Sequence, residues 1–161
     1  MKVEVVQQPE LRLASVRHVG SYMRVSEAFQ RLNDLVTAAG LSNRDTKLIG
    51  IYYDDPSTTP ENKLRSDAAI TIAAKTKLPA GLTEVIIPAG RYAHFTHVGP
   101  YAGLGEAWGH LRNEWLPQSG ERPGGAMSYE MYRNTPMNAK PNELVTDLYL
   151  PLAARALSQR A

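Results

Sequence analysis

Apolar residues recur at Val25, Ala28, Phe29, Leu32, Leu35, Val36 and Ala39. Steps of three and four lay one stripe along a helix, so the pattern predicts a helix over 23–39. Gly40 follows at the C-terminal capping position. A second stripe, Leu104, Ala107, Trp108, Leu111 and Trp115, predicts a helix over 101–115, stopped by Pro117. Elsewhere the apolar residues alternate with polar ones or form short valine- and isoleucine-rich runs. These predict strands over 2–7, 11–17, 48–53, 67–74, 83–87, 91–97, 127–134 and 144–152. Segments 54–66, 118–126 and 135–143 carry the prolines, glycines and polar residues of loops. The tail over 153–161 predicts no more than a loose helical turn.

The element order runs strand, strand, helix, strand, strand, and then runs again. Setting 12–36 on 91–115 without a gap matches Arg12/Arg91, Ala14/Ala93, His18/His97, Val19/Val98, Gly20/Gly99, Tyr22/Tyr101, Glu27/Glu106, Ala28/Ala107 and Leu32/Leu111. Chance gives roughly one or two identities in such a window, so the chain reads as an internal duplication. The copies span about 2–74 and 83–152. Each has one helix whose apolar stripe four strands can cover. The expected fold is α+β: duplicated βαββ-type units, antiparallel sheets with two main helices, and a central groove on a pseudo-two-fold axis. One domain over 1–161 suits this length.

Composition narrows the function. An apolar fraction of 43% supplies an ordinary core. Net charge is +2 with the basic residues scattered, which argues against direct nucleic-acid binding. The sequence has no cysteine, so thiolate chemistry and cysteine metal sites are excluded. The four histidines, His18, His94, His97 and His110, have no metal-ligand spacing, and no cofactor motif occurs. No stretch approaches the roughly 20 apolar residues of a membrane span, and the polar start lacks a signal-peptide core. A cytoplasmic protein is the expectation.

Residues shared by both copies are expected to be framework. His18 and His97, each before Val-Gly, fit a turn hydrogen bond better than catalysis. Differences between the copies are better functional candidates, because one site needs only one of each group. Gly50 becomes Glu130, Ala69 becomes Tyr149, Phe29 becomes Trp108, Leu13 becomes Tyr92 and Val36 becomes Trp115. Alternation puts Glu130 with Tyr132 on one strand face, and Asp147 with Tyr149 opposite Leu148, Leu150 and Leu152. With the leucines covering the helix, both carboxylates are expected on the other face, among tyrosines. Such a hollow suits a flat, apolar, often cationic molecule, since buried carboxylates need a partner and aromatic faces attract cations. The alternative is that Glu130 and Asp147 are solvated groups on an open sheet face. Asp67 repeats Asp147, which favours a framework role, paired with Arg65 or another arginine.

Five segments then resemble a known family: His97-Val-Gly-Pro-Tyr101, Gly50-Ile-Tyr-Tyr-Asp-Asp-Pro56, Lys63-Leu-Arg-Ser-Asp67, Tyr129-Glu-Met-Tyr-Arg-Asn134 and Asp147-Leu-Tyr-Leu-Pro-Leu152. Their order and spacing resemble the GyrI-like small-molecule-binding family, the bacterial effector-binding domain. The resemblance covers about 2–152. It implies the duplicated fold with a central groove, and the stand-alone class related to the DNA gyrase inhibitor. It also implies an acid that meets cationic drugs. Asp147 falls where the family glutamate usually stands, and Glu130 matches a second acidic position. The implied function is uptake of aromatic, often cationic ligands, with Glu130 and Asp147 for charge and Tyr92, Trp108, Tyr132 and Tyr149 as walls. Two other readings follow from the resemblance: hydrolysis of cyclopropanoid genotoxins, with Glu130 catalytic, and a protein-interaction role with DNA gyrase as partner.

Overall fold

A computed structural model describes residues 1–155 of the chain. The predicted tail turn lies largely outside the described residues. Eight strands form one antiparallel sheet: β1 (Glu4–Gln8), β2 (Leu11–Val19), β3 (Leu48–Tyr52), β4 (Arg65–Thr71), β5 (Thr83–Ile87), β6 (Gly90–Val98), β7 (Ser128–Tyr132) and β8 (Val145–Pro151). The first helix, α1 (Ser26–Ala39), is three residues shorter than its stripe. Tyr22–Arg24 form a 3-10 turn instead, capped by the Ser21 hydroxyl accepting from Met23 N. Gly40 ends α1 in the left-handed region at φ 64°, where glycine carries no Cβ penalty.

The second helix departs from expectation at its end. It starts as α2 (Leu104–His110), widens into a π turn over Leu111–Trp115, and closes with α3 (Leu116–Ser119). Pro117 therefore lies within the helix, which stops at Gly120 with φ 79°. The wide π turn just before it relieves the clash between a proline ring and the carbonyl of the preceding turn.

The strand order is β1-β6-β8-β7-β3-β4-β2-β5. β1 and β2 are joined by two residues, yet they stand first and seventh. In a flat sheet that separation is about 29 Å, whereas three residue steps span at most about 11 Å. The same holds for β5 and β6, which stand eighth and second. The sheet must therefore curl, bringing its two edges toward each other. Inside the curl pack Leu13, Ile49, Ile51, Ala69, Ile87, Tyr92, Tyr129 and Tyr149. The helices lie on the outer face. Ala28, Leu32 and Val36 of α1 cover Ala14, Val16, Ala68 and Ile70. Leu104, Ala107 and Trp108 of α2, with Leu111, cover Ala93, Leu148 and Leu150.

Candidate functional site

Because α1 rests on β2 and β4, and α2 on β6 and β8, the middle pair β3–β7 has no helix over it. This leaves a trough between the helices, floored by those two strands. At its centre Gly50 pairs directly with Glu130. Cross-strand partners share a face, and Glu130 is also opposite Leu148, so its side chain points to the helix side. The missing side chain at Gly50 matters. A Cβ there would lie 2.5 Å from the Tyr132 hydroxyl and 3.0 Å from the Tyr52 hydroxyl. Glycine leaves room for both rings.

Glu130 is 3% exposed. Its carboxylate accepts from Trp108 Nε1 at 2.7 Å and from the Tyr132 hydroxyl at 2.7 Å. The hydroxyls of Tyr52 and Tyr132 are 2.9 Å apart. Tyr132 has one proton and gives it to the ionised carboxylate, so Tyr52 donates to Tyr132. Around this chain, Tyr22 meets Tyr52 edge-on at 5.0 Å, Tyr101 meets Tyr132 at 5.8 Å, and Phe29 meets Tyr132 at 5.7 Å. The trough is thus an aromatic box closed over one acid. Burial raises the Glu130 pKa above the ordinary glutamate value, and the hydrogen bonds from Trp108 and Tyr132 offset this only in part. Burial, reinforced by the charge of Glu130, also pushes the Tyr52 and Tyr132 hydroxyls well above the usual phenol range.

The other expected site residues divide by sheet face. Tyr132 and Trp108 join Glu130 in the trough. Asp147, Tyr149 and Tyr92 do not. Asp147 pairs with Met131 and Thr96, and Tyr149 with Tyr129 and His94, which puts them on the inner face of the curl. The expected grouping of both carboxylates on one face is therefore corrected. Glu130 lies on the leucine face with the helices, and Asp147 lies behind it. Tyr92 is buried inside the curl, where its hydroxyl donates to Pro88 O at 2.7 Å. It packs edge-on against Tyr129 and Tyr149 at 5.5 and 6.4 Å.

Asp147 is held in a closed set of bonds. Arg133 reaches it with Nε at 2.5 Å and a terminal nitrogen at 2.8 Å, His94 Nε2 lies at 2.8 Å, and the Thr96 hydroxyl donates at 2.8 Å. Burial pushes its carboxyl up, but these partners outweigh that and hold it below the ordinary aspartate value. Asp67, its counterpart in the first half, binds Arg17 at 2.6 Å and the Tyr53 hydroxyl. Arg65 pairs instead with Asp54. The histidines at the two Val-Gly turns hold those turns as expected. His18 Nε2 lies 2.9 Å from Ser21 O, and His97 Nε2 lies 3.1 Å from Pro100 O. Among the described residues no group of three or more His, Asp or Glu side chains is placed to hold a metal ion. No helix among them is long and apolar enough to cross a membrane.

The family model for the GyrI-like small-molecule-binding domain matches residues 1–153. This chain belongs to the GyrI-like family. A DNA gyrase inhibitor from Yersinia enterocolitica is 32% identical over 139 residues, spanning 83% of this chain and 87% of its own length. Among solved structures, the C-terminal domain of EcmrR matches with a TM-score of 0.81 at 19% identity, over 96% of this chain and 98% of that one. SAV2435, solved bound to tetraphenylphosphonium, matches with a TM-score of 0.70 at 13% identity, over 95% and 94%. At these identities the two structures speak to the fold alone.

Within this GyrI-like domain, sequence reasoning missed Tyr22, Tyr52, Tyr101, Phe29 and Gly50 as trough residues. The rule that shared residues are framework hid the tyrosines, while Gly50 and Phe29 counted only as the first-half counterparts of Glu130 and Trp108. Tyr22 and Tyr101, like Tyr52 and Tyr132, come to one trough from opposite sides. The sequence signal for them is the repeated pattern itself, which sets Tyr22 on Tyr101 and Tyr52 on Tyr132.

Proposed function

We propose that this protein takes up aromatic, often cationic small molecules in the trough between α1 and α2, with Glu130 as the anionic anchor. One contrast carries the reading. Three acids are buried among the described residues: Asp67, Glu130 and Asp147. Two of them have an arginine, Arg17 and Arg133. Glu130 has none among the described residues, and is walled by aromatic rings instead. A buried carboxylate without a counter-ion is costly, and a cationic ligand supplies the missing charge. At an effective dielectric near 20, a pair about 4 Å apart gains about 4 kcal/mol before desolvation. Each aromatic face adds about 0.5–2 kcal/mol. The rings close over Glu130, so a ligand enters by turning them aside. The tetraphenylphosphonium bound to SAV2435, a protein of the same fold, supports this ligand class. The strand order supports reading the trough as the pseudo-two-fold axis of a duplicated unit.

Calorimetry with tetraphenylphosphonium, with uncharged triphenylphosphine oxide as control, tests the proposal. Wild type is expected to bind the cation and not the neutral analogue, and Glu130→Gln to bind it at least ten-fold more weakly. A folded wild type that binds no aromatic cation sinks the reading.

A second reading uses the same acid as a proton donor. Its raised pKa and its contact with Tyr132 suit proton delivery to one carbon of a strained ring as water adds to the other carbon of the breaking bond, a tyrosine hydroxyl polarising an adjacent carbonyl and the water's proton restoring the Glu130 acid. The expected result is turnover of a cyclopropane-bearing substrate that disappears in Glu130→Gln. Equal persistence of the substrate with both proteins removes this reading and leaves binding untouched.

A further inference from the structure

Arg112 stands one helical turn beyond Trp108, inside the π turn of the second helix. Its guanidinium carbon lies 5.0 Å from the centre of the Trp108 ring. The same indole gives its Nε1–H to Glu130. One ring therefore carries a buried anion at its edge and a cation over its face. Arg112 is partly exposed, and no hydrogen bond or ion pair engages its guanidinium among the described residues. Tyr22 and Asp55, both from the first half of the chain, lie within reach of its charge. Asp55 is not its partner. That carboxylate already accepts from Ser57 N at 2.9 Å and Ser57 Oγ at 2.7 Å. The repeat-related residue in the first half is Asn33, just as Gly50 answers Glu130. The second half thus carries one acid and one base where the first has Gly50 and Asn33, both against Trp108.

We propose that Arg112 makes this site select aromatic ligands that carry both charges, with the cation seated on Glu130 and an anion on the Arg112 guanidinium. This rests on the cation-binding reading of Glu130 and goes beyond it by assigning the opposite pole. A plain cation must slide in beneath a resident positive charge. A ligand carboxylate instead meets a planar, forked donor that holds it in two parallel bonds. Drawing Arg112 toward that carboxylate also takes it off the Trp108 face, which frees the ring to stack on the ligand. The two poles are about one indole apart, so a short tether between ligand cation and anion suffices.

The test compares a matched pair, (4-carboxybutyl)triphenylphosphonium and its methyl ester, by calorimetry at pH 7 on wild type, Arg112→Gln, Arg112→Lys and Glu130→Gln. Wild type is expected to bind the acid about five-fold more tightly than the ester in low salt, with the preference shrinking in 0.5 M salt as about expected for a part-exposed pair. In Arg112→Gln the acid weakens, the ester tightens, and the ratio falls to about one or below. Arg112→Lys keeps part of the preference, since it retains charge but not the fork. The proposal is overturned if wild type binds both equally or prefers the ester, or if the ratio survives in Arg112→Gln. If both bind and Glu130→Gln weakens both while Arg112→Gln changes nothing, the cation site stands and Arg112 has no part in it. If wild type binds neither compound, the cation reading fails and this inference fails with it. Arg112 is not part of the core, so an unchanged thermal midpoint in both variants separates lost preference from lost fold.

Discussion

Glu130 is stabilised as a neutral acid by burial and as an anion by Trp108 and Tyr132, and burial wins. Its folded pKa therefore lies above the unfolded value of 4.5. The contribution to stability is full below that value and is lost as pH rises through the folded pKa. Glu130→Gln should remove this decline from a plot of unfolding free energy against pH, measured by urea denaturation. Cation binding has the opposite dependence, because the ligand prefers the ionised form. Affinity for tetraphenylphosphonium should strengthen with pH above 4.5 in wild type and stay flat in Glu130→Gln. Gly50 sets the room for the same group. A methyl there meets only the far ends of Tyr52 and Tyr132. Gly50→Ala should therefore cost about 1 kcal/mol in stability yet cut ligand affinity well beyond that by pushing the two hydroxyls off their chain. A mutant that binds like wild type contradicts the placement of those rings.

Asp147 works at the scale of elements. Its partners sit on β6, as His94 and Thr96, and just past β7, as Arg133, so one carboxylate ties three neighbouring strands. The first half solves the same problem differently, with arginine on β2 and tyrosine after β3. Asp147→Asn should destabilise the fold by about 1–3 kcal/mol, discounted because Arg133 remains half-exposed, and should leave tetraphenylphosphonium binding unchanged. Its depressed pKa gives stability that is complete above 3.8 and lost as pH falls through the folded value. The mutant should therefore lose the acid-side slope that Asp147 contributes in wild type. Loss of ligand affinity in Asp147→Asn would return this residue to the site. Leu111 begins the π turn fully buried. Leu111→Ala is expected to cost about 2–5 kcal/mol in denaturant melts, which would show that the widened turn is packed rather than frayed.

Across the whole molecule, the first strand of each half is given to the other. β1 pairs with β6, and β5 pairs with β2. The two halves are thereby braced at both rims as well as at β3–β7, and the chain should unfold in one transition. Both tryptophans, Trp108 and Trp115, lie in the second half. Circular dichroism and tryptophan fluorescence should therefore give the same midpoint. Deleting residues 1–8 removes the edge partner of β6 and should lower the fluorescence midpoint. A deletion that leaves the midpoint where it was would show that the exchanged strand adds little to the second half.

Much of this was legible in the chain alone. The stripes on 23–39 and 101–115 located both helices, because a side chain's place on a helix depends only on its own neighbours. The exchange of Gly50 for Glu130 and of Phe29 for Trp108 singled out the acid and the indole that meet in the trough, because the site holds one of each. Alternation also separated Asp147 from Leu148. What it could not say was how β8 lies against β7. That register, Glu130 against Leu148 rather than against Asp147, comes from pairing between residues 18 positions apart, and a shift of one would have swapped every face. The same holds for Tyr22, Tyr52 and Tyr101. Each looked like framework within its own half, and only the meeting of β3 with β7 brought them around Glu130 on the helix face.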